Sequence, residues 1–209
     1  MVLEISEIKA QLKPYGLEAS PELCISIQRY IALLLQWNKR ISLTTVTNPL
    51  EVVRFHFGES LFAASIVPIR DGRLADVGSG AGFPGLALRL MVPDLSAALI
   101  ESNVKKAAFL SEIVRDLKLD HVMVARTRME DFSSAEPGFD FVTARALGKH
   151  DELLAWASKT LTGTGRVILW LGEEDCATIT RKSEWSWRDP LHIPGSKRRF
   201  LLVGAKNLG

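Results

Sequence analysis

The segment that most constrains this chain is Asp76-Val77-Gly78-Ser79-Gly80-Ala81-Gly82-Phe83-Pro84-Gly85, which opens on the short apolar run Leu74-Ala75-Asp76-Val77. A buried strand that runs into closely spaced glycines and then into a helix is the pattern of a nucleoside-binding turn in a parallel α/β sheet. Glycine accepts the positive φ angles that such a turn requires and lets a ligand approach the backbone. The rest of the chain beyond Arg73 fits that frame. Strands are expected at Leu74–Val77, Leu95–Ile100, His121–Ala125, Phe139–Thr143 and Arg166–Leu171. Helices are expected at Phe83–Met91, with Pro84 in its first turn, at Val104–Leu119 behind a Ser102 or Asn103 cap, and at Leu153–Leu161. Ser186–Ile193 and Arg199–Ala205 read as a closing antiparallel pair. Strands alternating with helices imply a mostly parallel, doubly wound sheet whose ligand-facing loops lie at the carboxyl ends of the strands.

Two glycine spacings overlap in the turn. Gly80, Gly82 and Gly85 match the G-x-G-x-x-G of dinucleotide sites, whereas Asp76, Gly78, Gly80 and Gly82 match the D-x-G-x-G-x-G of S-adenosylmethionine sites. A pyrophosphate needs bare backbone amides with no anion beside them. S-adenosylmethionine has no phosphate and carries a sulfonium and an ammonium, so Asp76 is placed to organise the loop and the ammonium end of that ligand. Glu101 follows 19 residues after Gly82, at the end of the second strand, where an acid meets ribose hydroxyls. A bland alternative for Glu101 is a carboxylate at a helix start.

Residues 1–70 read as a helical extension and residues 71–209 as the ligand-binding domain. Met1–Leu12 is an amphipathic helix. Pro21–Gln36 sets Leu23, Ile27, Tyr30, Ile31, Leu34 and Leu35 on one stripe behind a Ser20 cap, and Leu50–Ala64 is a further helix opened by Pro49. A hydrophobic fraction of 47% is enough to bury a core. The longest apolar run, Ile31–Leu35, is too short to span a bilayer. Cys24 and Cys176 have no ligand spacing around them, so neither a metal site nor a disulfide is expected, and a reducing, cytoplasmic location is. The net charge of +2 points to no partner by itself, but Lys39-Arg40 and Lys197-Arg198-Arg199 could present cations to phosphates.

Missing residues narrow the reaction. Enzymes that methylate exocyclic base amines carry an Asn/Asp-Pro-Pro-aromatic loop after the fourth strand, where this chain has Thr143-Ala144-Arg145-Ala146. Methylation of a pyrimidine carbon needs a nucleophilic cysteine near that loop, and Cys24 and Cys176 are both elsewhere. A target that is already nucleophilic remains. The N7 of guanine has a free lone pair, so positioning and desolvation suffice.

Trp37-Asn38-Lys39, Leu43-Thr44, His56 to Leu61, Asp76 to Gly85, Glu101-Ser102 with Lys105-Lys106, and Thr143-Ala144-Arg145-Ala146 occur together and in order. In these segments the chain resembles the bacterial small-subunit (16S) ribosomal RNA guanine-N7 methyltransferases, the glucose-inhibited division protein B family, over nearly its whole length. The resemblance implies a Rossmann-like class I methyltransferase that takes S-adenosylmethionine and modifies one guanine in the decoding-region loop. Its partner would be the RNA or the assembled small subunit; separately from the resemblance, a monomer is expected. It implies cofactor contacts from Gly78 and Phe83, an adenine border at Met129 and Glu130, and Arg145 reaching the cofactor end of the pocket. Read from the residues alone, Phe83 could equally anchor the core, Met129 could be filler, and Arg145 could pair with an acid such as Asp76. His56 reads as a hydrogen-bonded buried histidine more readily than as a base or substrate contact. The chain departs from the family pattern at Ser42, Glu59, Thr162-Gly163-Thr164-Gly165 and Leu171-Gly172, where Asn, Asp, a Lys-Pro-Gly-Gly-like turn and Lys-Gly are usual. Other roles left open are methylation of a small molecule or a protein and a non-enzymatic part in ribosome assembly.

Overall fold

The computed structural model describes residues 3–134 and 138–207, so Met1 and Val2 of the expected first helix lie outside the described residues. Helices α1 (Ile5–Leu12), α2 (Pro21–Asn38), α3 (Pro49–Val52) and α4 (Glu59–Ile66) precede the sheet, with a π-helical turn, Val53–Gly58, joining the last two. Then follow β1 (Gly72–Val77), α5 (Gly85–Met91), β2 (Leu95–Ile100), α6 (Val104–Asp116), β3 (Val122–Ala125), β4 (Phe139–Arg145), α7 (His150–Thr160) and β5 (Leu161–Gly172). α8 (Glu173–Ile179), β6 (Trp185–Trp187), β7 (Leu191–His192) and β8 (Arg199–Lys206) complete the chain. The sheet order is β3-β2-β1-β4-β5-β8-β6, with β7 beside β8. Strands β1 to β5 pair in parallel, and β8 enters antiparallel between β5 and β6.

Local signals explain most element ends. Glu4 and Glu7 form a capping box that starts α1. The Ser20 hydroxyl accepts from the Leu23 amide, and Pro21 fills the first position of α2. The Asn103 side chain accepts from the Lys105 and Lys106 amides at the start of α6. Both faces of the sheet are covered. Leu74 and Leu99 join a core cluster with α2, α4, α5 and α6, while their neighbours Ala75 and Ala98 face a second cluster with α7 and α8. Leu12, Ile27 and Leu34 of the extension are completely buried in the first cluster, each contributing about 1.5–3 kcal/mol.

Several expectations are corrected. The helix expected from Phe83 begins at Gly85, because residues 78–83 are consumed by the turn and Pro84 is the cap rather than part of the first turn. The helix expected over Leu50–Ala64 is divided by the π turn, with Gly58 beneath the Tyr15 ring where a Cβ would collide. The fifth strand starts at Leu161, and its register to β4 shifts between Phe139 and Phe141, so residues 162–165 bulge instead of making a plain turn. The expected strand Ser186–Ile193 is split into β6 and β7 around Pro190, which has no N–H to give a ladder. Helix α8 was not expected, although Glu173, Glu174 and Asp175 in its first turn are a helix-start signal.

Candidate active site

The glycine turn is fastened to its neighbours on every side. Gly78, Gly80 and Gly82 have φ angles of 70°, 57° and 85°, which a side chain would strain. The amides of Gly78 and Ser79 donate to the Ile100 carbonyl at 2.9 and 3.2 Å, which hangs the turn on the end of β2. The Gly80 amide donates to Glu101 Oε2 at 2.8 Å, and the Asn103 amide donates to Oε1 at 2.7 Å. From the extension, the buried Tyr30 hydroxyl donates to the Ala81 carbonyl at 2.6 Å. Asp76 lies completely buried under the turn, where Thr143 Oγ1 donates to its carboxylate at 2.8 Å. Burial pushes the Asp76 pKa up to about 6, against the hydrogen bond from Thr143. Gly85 has no room for a side chain, because a Cβ there would stand 2.5 Å from that of Asp76.

A cavity of about 280 Å³ opens beside the turn, at the carboxyl ends of β1 to β4. Of the expected cofactor residues, Gly78, Glu101, Met129 and Glu130 line it. Asp76, Gly80 and Gly82 do not line it: they shape the turn from beneath. Phe83 is not among the residues that line it; its ring packs against Tyr30, Phe57 and His56, the contacts of a core anchor. Thr127, Arg128, Leu147 and Lys149 line the cavity as well, and no motif pointed to them. The wall suits S-adenosylmethionine better than a dinucleotide. The Gly78, Ser79 and Gly80 amides are already committed, and the Glu101 carboxylate touching the turn would repel a pyrophosphate. Each Glu101 oxygen keeps a lone pair for a ribose hydroxyl.

A second cavity, of about 340 Å³, lies at the ends of β4 and β5, across residues 146–148 from the first. Arg145 belongs to this one, and it pairs with Glu59 rather than with Asp76. β1 has already left the sheet after Val77, opposite Ala144, so the end of β4 meets α4 instead. The Glu59 carboxylate is 1% exposed and lies between two guanidinium groups, Arg145 at 3.0 Å and Arg199 at 2.7 Å. Arg145 also donates to the Phe55 carbonyl of the π turn at 3.0 Å, and Trp170 Nε1 donates to the Glu59 carbonyl at 2.7 Å. Burial raises the Glu59 pKa, and Arg145, Arg199 and Arg54 oppose the rise. A still larger cavity, of about 480 Å³, borders Arg73, Ser96 and His121 at the opposite ends of the strands, remote from the glycine turn.

The remaining expected residues divide between support and surface. Asn38 brackets the end of α2, donating to the Thr44 carbonyl at 2.8 Å and accepting from the Leu43 and Thr44 amides. Thr44 Oγ1 meets His56 Nε2 at 2.7 Å, and the His56 ring stacks on Phe83 with centroids 4.9 Å apart. Burial, reinforced by Arg145, pushes the His56 pKa down to about 4, so it is neutral near pH 7. That placement makes His56 a support for Phe83. Lys39 and Arg40 are exposed just beyond α2. Lys197 and Arg198 are exposed before β8, while Arg199 turns inward to Glu59, which separates it from its neighbours in the basic run. Cys24 and Cys176 are buried free thiols outside both cavities. Among the described residues no helix is long and apolar enough to cross a membrane.

Comparison with known proteins agrees with this geometry. The fold is similar to a putative O-methyltransferase from Klebsiella pneumoniae, with a TM-score of 0.67 at 12% identity over 96% of each chain. It is similar also to a SAM-dependent methyltransferase from Aquifex aeolicus, with a TM-score of 0.63 at 15% identity over 75% of this chain and 93% of that one. The fold is therefore that of the class I S-adenosylmethionine methyltransferases. The chain is 34% identical to a ribosomal RNA small subunit methyltransferase G of Chromobacterium violaceum, over 97% of this chain and 98% of that protein. It is 30% identical to the enzyme of the same name from Escherichia fergusonii, over 95% and 97%. The model of the GidB family, rRNA small subunit methyltransferase G, matches residues 24–196, and the chain belongs to that family.

Proposed function

We propose that this chain transfers a methyl group from S-adenosylmethionine to N7 of a guanine in the decoding-region loop of small-subunit ribosomal RNA, acting as a monomer in the cytoplasm on the RNA or the assembled subunit. The observation that carries the reading is the pair of cavities on either side of residues 146–148, one suited to a nucleoside cofactor and the other to a polar base. Gly78, Glu101 and Met129 would hold the adenosyl part of S-adenosylmethionine, with Glu130 and Lys149 at the cavity edge. When bound, that cofactor supplies an electrophilic methyl on a sulfonium.

The protein groups around the base favour a target that needs no activation. No cysteine borders either cavity, and His56 is neutral and engaged by Thr44. The N7 lone pair of guanine requires no base, so the site contributes alignment and exclusion of water. Lys39, Arg40, Lys197 and Arg198 are exposed and would meet phosphates of the RNA.

Small subunits lacking the mark, incubated with the enzyme and labelled cofactor, should take label into RNA. Reduction of the cationic N7-methylguanine followed by aniline should cut the RNA once, in the decoding-region loop. Label in ribosomal protein, or labelled RNA that resists this cleavage, would overturn the assignment. Binding should weaken steeply with salt, and each Lys→Ala or Arg→Ala change among the four exposed cations should lower the salt slope by about one if it meets a phosphate.

A further inference from the structure

We propose that Glu59 is the residue that selects guanine, by accepting from N1–H and the N2 amine of the flipped base, with Arg145 donating to O6. This rests on the reading of the second cavity as the site of the target base. The cavity, about 340 Å³, falls within the roughly 300–1,000 Å³ of small-ligand sites. Its polar wall is unusual: a carboxylate 1% exposed, held between two guanidinium groups, at a place where nothing in the glycine turn or the cofactor cavity uses it.

Three features of the network fit a reader. Guanine alone among the four bases presents two adjacent donors on its Watson–Crick edge. A carboxylate accepts them side by side. Adenine would set its N1 lone pair against the same oxygens, cytosine its N3, and uracil a carbonyl on each side of its single donor. Second, Arg145 Nη1 is buried and has no hydrogen-bond partner among the described residues, whereas Nη2 is taken by Glu59 and Phe55. An orphaned buried donor beside a carboxylate is placed for an acceptor such as O6, which adjoins N1–H on guanine. Third, the two arginines are not equivalent. Arg145 is 17% exposed and held by the Phe55 carbonyl, whereas Arg199 is 43% exposed and holds Glu59 Oε1 from the outer side. Arg199 therefore keeps the carboxylate paired while no base is present, and it can withdraw toward a phosphate when a base replaces it. A base read along N1, N2 and O6 leaves N7 free of protein partners, on the edge away from Glu59. Extruding a base from a single-stranded loop costs little, so recognition can be spent on the edge.

The test compares small subunits reconstituted with guanosine or with inosine at the target position, since inosine keeps N1–H, O6 and N7 and lacks only the N2 amine. The wild-type enzyme should methylate the inosine substrate about ten- to a hundredfold more slowly, the loss of one charge-assisted hydrogen bond. Glu59→Gln should slow methylation of guanosine by a similar factor and bring the guanosine-to-inosine ratio close to one, with cofactor affinity by calorimetry unchanged. Glu59→Asp should keep the discrimination. If Glu59 only braces Arg145, both rates will fall in Glu59→Gln and the ratio will stay at the wild-type value, which overturns the proposal. A wild-type enzyme that marks guanine N7 without distinguishing inosine also overturns it while leaving the proposed reaction intact. Label absent from guanine N7 in the wild type overturns the proposed reaction itself, and the reader with it.

Discussion

The two cavities at the carboxyl ends of the strands are built in opposite ways. The cavity beside the glycine turn, the proposed cofactor site, is made mainly of backbone: a glycine turn whose amides are bonded to the end of β2, closed by one carboxylate from the next loop. Its parts lie between Val77 and Lys149, and its shape depends on φ angles that a Cβ would strain. The second cavity is made of side chains. Its charged centre joins Glu59 of α4, Arg145 of β4 and Arg199 of β8. The first should therefore fail when space is filled, and the second when a charge is left alone.

The largest effect is expected at the turn. Gly78→Val should abolish cofactor binding in titration calorimetry, since the residue has φ 70° and its Cβ would stand 2.8 Å from Leu147, which lines the same cavity. Retained affinity would show that the turn can yield. Arg145→Met should cost about 3 kcal/mol of unfolding free energy in denaturant melts, because it removes the inner partner of a buried carboxylate. The same variant should keep cofactor affinity, since Arg145 stands on the other cavity. A loss of cofactor binding instead would make the two regions one. Glu101→Ala should weaken the cofactor by roughly 1.5–3 kcal/mol if a charge-assisted bond to ribose is lost. Intact affinity with a lowered melting temperature would leave Glu101 as a brace for Gly80 and Asn103 alone.

The smallest effect concerns the support between the regions. His56 has a pKa near 4 in the folded chain and 6.5 when free, so between those values the unfolded chain binds more protons. Its contribution is present above pH 6.5 and is lost as pH falls toward 4. The stability of wild type relative to His56→Gln should therefore drop by about 2 kcal/mol over that window. Asp76, raised to about 6, acts in the opposite sense over pH 3.8 to 6, which is why the comparison must be made against the variant and not read from the wild-type curve. A difference that does not change with pH would place His56 in a more solvated setting.

Legibility followed the same division. The order of strands and helices, the glycine turn and Glu101 could all be read along the chain, because each depends on neighbours within a few residues or on a fixed distance from the turn. The motif at Trp37-Asn38 and Leu43-Thr44 was visible as a pattern without a reason. The structure supplies one: Asn38 holds Thr44, Thr44 holds His56, and His56 backs Phe83. Read from the residues alone, Arg145 pairs with an acid such as Asp76; because β1 ends at Val77, opposite Ala144, its partner is Glu59 instead.

By itself, the sequence determined the turn, the parallel core and the class of ligand, since backbone conformation and hydrophobic periodicity are local and are written in consecutive residues. Only the tertiary structure decided that β8 inserts between β5 and β6, which brings Arg199 to the end of β5 and within 2.7 Å of Glu59. It also decided that the extension reaches the turn through Tyr30. The physical reason is the same in both cases. A buried charge or hydroxyl must find a partner wherever packing places one, and packing joins residues that no local rule relates.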